Sequence, residues 1–134
     1  MNNLEMLISE FEDDLIFTYR KDMPEYLPGL IINTTVYVNS GLPPMQTITK
    51  VAEEIGHYST SVEYNLIDYS NLFNWKQEKL ARNWSYKKLV PINKLKQFVS
   101  NKEVVQLHEI AEEFEVPEDF IDEAINSYKE KGYI

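Results

Sequence analysis

Three side chains within five residues of this 134-residue chain are of types that could activate water. They lie in the segment Ala52-Glu53-Glu54-Ile55-Gly56-His57-Tyr58. On a helix, positions i and i+4 differ by about 40° in direction and about 6 Å in height, so Glu53 and His57 can grip one ion. Glu54 is rotated about 100° from Glu53 and reaches a water beside the ion rather than the ion itself. The spacing is that of an H-E-x-x-H site for metal-assisted hydrolysis, with Glu standing at the first ligand position. By itself the pattern is weak, because two acids and a histidine on a helix also describe a solvated face.

A catalytic zinc-type site needs a third protein ligand and an open position, which directs attention to an acid on a second helix. Glu78 is the only acid among eight basic residues between positions 76 and 102, a segment of net charge +7 set between two segments of −8. It lies one turn before Ala81, at the margin of an apolar stripe of Phe73, Leu80, Ala81 and Trp84. A carboxylate in such a place is costly unless it is paired or bound to metal. An i, i+4 pair with Arg82 explains Glu78 equally well, and spacing does not choose between the two.

The elements that must position these residues follow from periodicity. Leu4, Leu7, Ile8 and Phe11 mark a short amphipathic helix that ends at Glu12-Asp13-Asp14. Residues 15–19, 29–32 and 35–38 read as three strands, the last two joined at Asn33-Thr34, and as an antiparallel sheet. Ser40-Gly41 and Pro43-Pro44 open a helix expected to run to about Tyr58. Residues 61–72 lack sustained periodicity and read as a loop, 73–88 reads as a helix, and Pro91 breaks the chain before a short basic helix. Residues 106–115 and 117–131 form a helical hairpin about Val116-Pro117, with Leu107, Ile110, Ala111 and Phe114 facing Phe120, Ile121, Ala124, Ile125 and Tyr128. The fold class is therefore α+β in a single domain, with a core over 1–90 and a C-terminal helical part over 91–134.

Composition narrows the chemistry. With no cysteine, thiolate metal sites, disulfides and cysteine nucleophiles are excluded, so any metal must use His, Asp or Glu. The N-terminus carries no signal-peptide pattern and no run is long enough for a membrane span, which points to the cytoplasm. A net charge of −9 argues against binding by phosphate neutralisation, and the C-terminal hairpin, with ten acids against two bases in 103–134, would repel nucleic acid. His108 and Glu109 imitate half of a zinc motif, but the apolar residues of that helix mark it as a packing element. Tyr58, Tyr64 and Tyr69 flank the proposed site and could donate to an oxyanion, although packing is the simpler role among nine tyrosines.

Taken together, Val51-Ala-Glu-Glu-Ile-Gly-His57-Tyr58, Asn65-Leu-Ile-Asp68, Lys76-Gln-Glu78-x-x-Ala81-Arg-x-Trp84 and Leu89-Val-Pro91 resemble the core of the ImmA/IrrE metallopeptidases in order and spacing. The resemblance extends over essentially the whole chain and is to the short, phage-associated form. It implies a zinc-dependent peptidase with metal ligands Glu53, His57 and Glu78 and Glu54 as general base, acting on a helix-turn-helix repressor of a phage or mobile element. The chain departs from the family pattern at Glu53, where histidine is usual. Two carboxylates and one imidazole neutralise more of a divalent charge, which makes Mn²⁺ a competitor of Zn²⁺. A non-catalytic protein that binds a repressor without cutting it is the alternative, and a DNA-binding regulator ranks last.

Overall fold

The computed structural model describes the backbone of residues 1–60 and 71–134 and the side chains of 1–60 and 75–134. Residues 61–70 of the loop expected over 61–72, among them Tyr64, Asn65–Asp68 and Tyr69, and the side chain of Phe73 lie outside the described residues.

Helix α1 (Asn3–Phe11) starts at a capping box in which the Asn2 side chain accepts from the Glu5 backbone N–H and the Glu5 carboxylate accepts from that of Asn2. It turns Leu4, Leu7 and Ile8 inward. Strands β1 (Ile16–Arg20), β2 (Gly29–Ile32) and β3 (Thr35–Asn39) form a sheet of order β1-β3-β2. Asn33, in the left-handed region at φ 56°, makes the tight reversal that pairs β2 with β3 antiparallel from Gly29↔Val38 to Ile32↔Thr35.

The sheet is mixed, which corrects the antiparallel expectation. β1 runs parallel to β3, in register from Ile16↔Thr35 to Arg20↔Asn39. The physical cause is the segment 21–28, which carries the chain past the space that β3 later fills. Buried Asn39 holds that segment: its Nδ2 donates to the carbonyls of Pro24 (3.1 Å) and Leu27 (3.2 Å), and its Oδ1 accepts from the Gly41 backbone N–H (3.0 Å). A hairpin alone would place β2 beside β1; these bonds support the wide path instead.

Helix α2 (Pro44–Thr60) lies against the sheet, with Ile48, Val51, Ala52 and Ile55 meeting Val36 and Val38 in one core. Helix α3 (Asn71–Leu89) packs on α2, beginning two residues earlier than expected. Among its described side chains Ala81, Ser85 and Tyr86 are buried, while Leu80, placed on the apolar stripe by periodicity, is 48% exposed. Trp84 is partly buried against Phe11, with ring centroids 5.7 Å apart. Pro91, which has no N–H to donate, separates α3 from α4 (Ile92–Ser100).

Helices α5 (Leu107–Phe114) and α6 (Glu118–Glu130) make the expected hairpin, closed by Glu115 in the left-handed region at φ 55°. Ile110, Ala111, Phe120, Ile121, Ala124 and Tyr128 are buried as expected, whereas Leu107 stays at the rim. The Tyr128 hydroxyl donates to the Val90 carbonyl at 2.8 Å and the Tyr86 hydroxyl to the Glu123 carboxylate at 3.2 Å, tying α6 to α3. Among the described residues, no helix is long and apolar enough to cross a membrane.

Candidate metal centre

Helix α2 presents Glu53 and His57 on one face and Glu54 on the adjoining one. Glu53 and His57 are largely covered, with 13% and 16% of their side chains exposed. From α3, Glu78 brings a carboxylate oxygen 3.2 Å from His57 Nε2. One donor atom from each of Glu53, His57 and Glu78 lies within 4.8 Å of the other two. Two carboxylates and an imidazole at this spacing suit a divalent ion that accepts nitrogen and oxygen ligands.

What sets the height of Glu78 is a contact that periodicity does not reveal. Gly56 faces the backbone of Ala81, and a Cβ built on Gly56 would stand 2.6 Å from the Ala81 carbonyl oxygen. The two helices therefore approach backbone to backbone between the residues that hold the donors. Glu78 itself is 57% exposed, so its position follows from this approach and not from burial of a carboxylate at an apolar margin. Its expected alternative partner, Arg82, lies instead toward Glu53, at 3.9 Å.

The electrostatics of the group are those of crowded anions partly covered from water. Desolvation, helped by the nearby Glu78, holds the Glu53 carboxyl above the usual carboxylate range, although Lys50 and Arg82 oppose the shift. Burial works against the charge of Lys50, but the carboxylates of Glu54, Glu53 and Glu78 outweigh it and raise the lysine above its ordinary value. A divalent cation between these groups would relieve the same repulsion, so the residues present fit a metal.

Glu54, only 8% exposed at its side chain, has both oxygens engaged. One accepts from the backbone N–H of Ile31 on β2 at 3.2 Å, and the other is 3.1 Å from Lys50 Nζ. Lys50 and Ile31 were not foreseen as parts of the site. Lys50 was legible as the i−4 partner of Glu54 on the same helix; the Ile31 bond spans 23 residues and has no local signature. Tyr58 is partly buried against the core. His108 is exposed on α5.

No curated protein matches the chain. A solved structure of a Mycobacterium tuberculosis transcriptional regulator shares the fold, with a TM-score of 0.68 at 14% identity. The match covers 90% of this chain but 39% of the regulator, so the chain spans well under half the length of that protein. The family described as peptidase M78, IrrE N-terminal-like domain, matches residues 12–126, a span that holds the sheet, helices α2 and α3 and most of the hairpin. This chain belongs to that family and has a metallopeptidase fold.

Proposed function

We propose that the chain is a metal-dependent endopeptidase of the zinc type, whose substrate is a helix-turn-helix repressor of a phage or mobile element. The observation that carries this reading is the convergence of Glu53, His57 and Glu78 from two helices, with Glu54 one residue from the first of them. Held by those three donors, a divalent ion supplies a Lewis acid that polarises a carbonyl and makes water a better nucleophile.

The chain's own residues supply the rest. Glu54 takes the proton of the attacking water and later returns it to the departing amine. Lys50 and the Ile31 N–H fix its carboxylate in orientation while leaving lone pairs on both oxygens to accept. Ile31 lies on β2, so the proposed base is referenced to the sheet as well as to its own helix. The repressor as substrate comes from the resemblance to the ImmA/IrrE proteins.

A second reading is favoured by the same contacts. With both Glu54 oxygens engaged and Glu53 in place of histidine, the fold could bind a repressor without cutting it. Glu54→Gln separates the two readings, provided that Lys50 is treated together with it, because glutamine turns an N–H group toward the lysine. In a Lys50→Met background, Glu54→Gln is expected to keep metal content and repressor binding and to lower cleavage by about 10²–10⁴-fold. Equal release of a repressor-controlled reporter by wild type, Lys50→Met and the double variant, with no repressor fragment from any of them, establishes the binding reading instead.

A further inference from the structure

Two cavities each take one of the three donor residues into their lining. One, of about 190 Å³, is lined by Lys50, Glu53 and residues of α6; the other, of about 610 Å³, is lined by Glu78, Lys79 and residues of α3 and α6. Arg82 and Glu123 line both. Arg82 is thus part of the wall of each, and a chain bound in either cavity meets it.

The guanidinium is placed to act on such a chain. Its Nη2 is 3.9 Å from the Glu53 carboxylate, longer than a hydrogen bond, and half of the side chain is exposed. The neighbouring cations are engaged otherwise: Lys50 lies 3.1 Å from Glu54, and Lys79 sits over the Trp75 ring at 5.0 Å. Arginine also keeps its charge at any working pH.

We propose that Arg82 is a catalytic residue that binds the oxygen of the scissile carbonyl as it becomes an oxyanion. The inference rests on the hydrolytic reading above. Water adds to the carbonyl carbon as its proton passes to Glu54, and the π pair moves onto the carbonyl oxygen, where the fixed charge of Arg82 meets it. Return of that pair reforms the carbonyl and breaks the C–N bond, and the amine leaves with the proton from Glu54. A donor set with two carboxylates neutralises more of a divalent charge than one with two imidazoles, so less of the oxyanion's stabilisation comes from the ion. Arg82 supplies the difference.

The test uses the full chain loaded with zinc, a phosphinic tripeptide as anionic mimic of the tetrahedral state, and the uncharged amide of the same sequence. Titration calorimetry is expected to show Arg82→Gln weakening the phosphinate by roughly 10²-fold, by analogy with loss of an oxyanion donor. Binding of the amide should change less than threefold and zinc affinity should hold, with Arg82→Lys intermediate and added guanidinium restoring part of the loss. Phosphinate binding within twofold of wild type in Arg82→Gln overturns the proposal. So does a loss matched by an equal loss of zinc affinity, which makes Arg82 a support for Glu53. Wild-type protein that binds the phosphinate through Arg82 but cuts no repressor defeats the hydrolytic reading and leaves the anion site standing; wild-type protein that binds no phosphinate defeats the anion site.

Discussion

Gly56→Ala is the smallest change that should separate the two halves of the metal centre. The added Cβ would lie 2.6 Å from the Ala81 oxygen and 3.2 Å from its C and Cα, while ordinary contact begins at 3.4 Å. Because the obstructing atoms are backbone, no rotamer change removes the clash, and the helices must part by roughly 0.8 Å. Overpacking of this kind costs about 1–3 kcal/mol. The gain from replacing glycine in a helix offsets about 0.5–1 kcal/mol of that, so a net loss of up to about 2.5 kcal/mol is expected from urea unfolding. The effect on metal should be larger in proportion. Glu78 moves with α3 while Glu53 and His57 stay on α2, and ligand sites tolerate only about 0.5 Å of misplacement. Zinc affinity, measured by competition with a fluorescent chelator, should fall by roughly 10- to 100-fold. Ala81→Gly should not rescue the variant, since the contact is made by main-chain atoms. A Gly56→Ala protein as stable as wild type that binds zinc as tightly would refute the placement of α3 by this contact.

Other outcomes follow from the same geometry. Purified without chelator, the protein should hold about one divalent ion per chain, and free metal at a hundredfold excess over Kd should stabilise it by about 2.7 kcal/mol, a shift that EDTA reverses in a thermal melt. Glu53→His should raise the preference for zinc over manganese in competitive loading, because an imidazole replaces a hard carboxylate. The Glu53 carboxyl is raised by burial in the folded state, so its contribution to apo stability is fully present below the ordinary carboxylate pKa and is lost as pH rises through the folded value. Glu53→Gln should therefore melt higher than wild type near neutral pH in the metal-free state, with the gap closing below about pH 4; an equal gap across that range contradicts the sign. Asn39→Leu should cost about 1–3 kcal/mol by leaving the Pro24 and Leu27 carbonyls without their donor, and should speed hydrogen exchange over 21–28 in particular.

The sequence by itself determined what depends on near neighbours. Apolar spacing located α1 and the α5–α6 hairpin; Pro43-Pro44 marked the entry of α2 and Asn33-Thr34 the β2–β3 reversal; and the i, i+4 relation put Glu53 and His57 on one face, because a helix repeats every 3.6 residues whatever surrounds it. The tertiary structure decided what depends on distant pairs. Strand order turned on the wide path of 21–28 and the bonds that Asn39 makes to it, and no alternation within a strand encodes which neighbour it takes. Leu80 and Glu78 were read from an apolar stripe, but the face of α3 that is buried is fixed by where α2 touches it, at Gly56 and Ala81, which leaves both side chains largely exposed. The carboxylate of Glu54 is likewise set by Ile31, 23 residues away, and by a lysine one turn back. A residue's type and spacing state which donors one helix can offer; the position of the third donor, and of the charges around it, follows from how closely two backbones can approach.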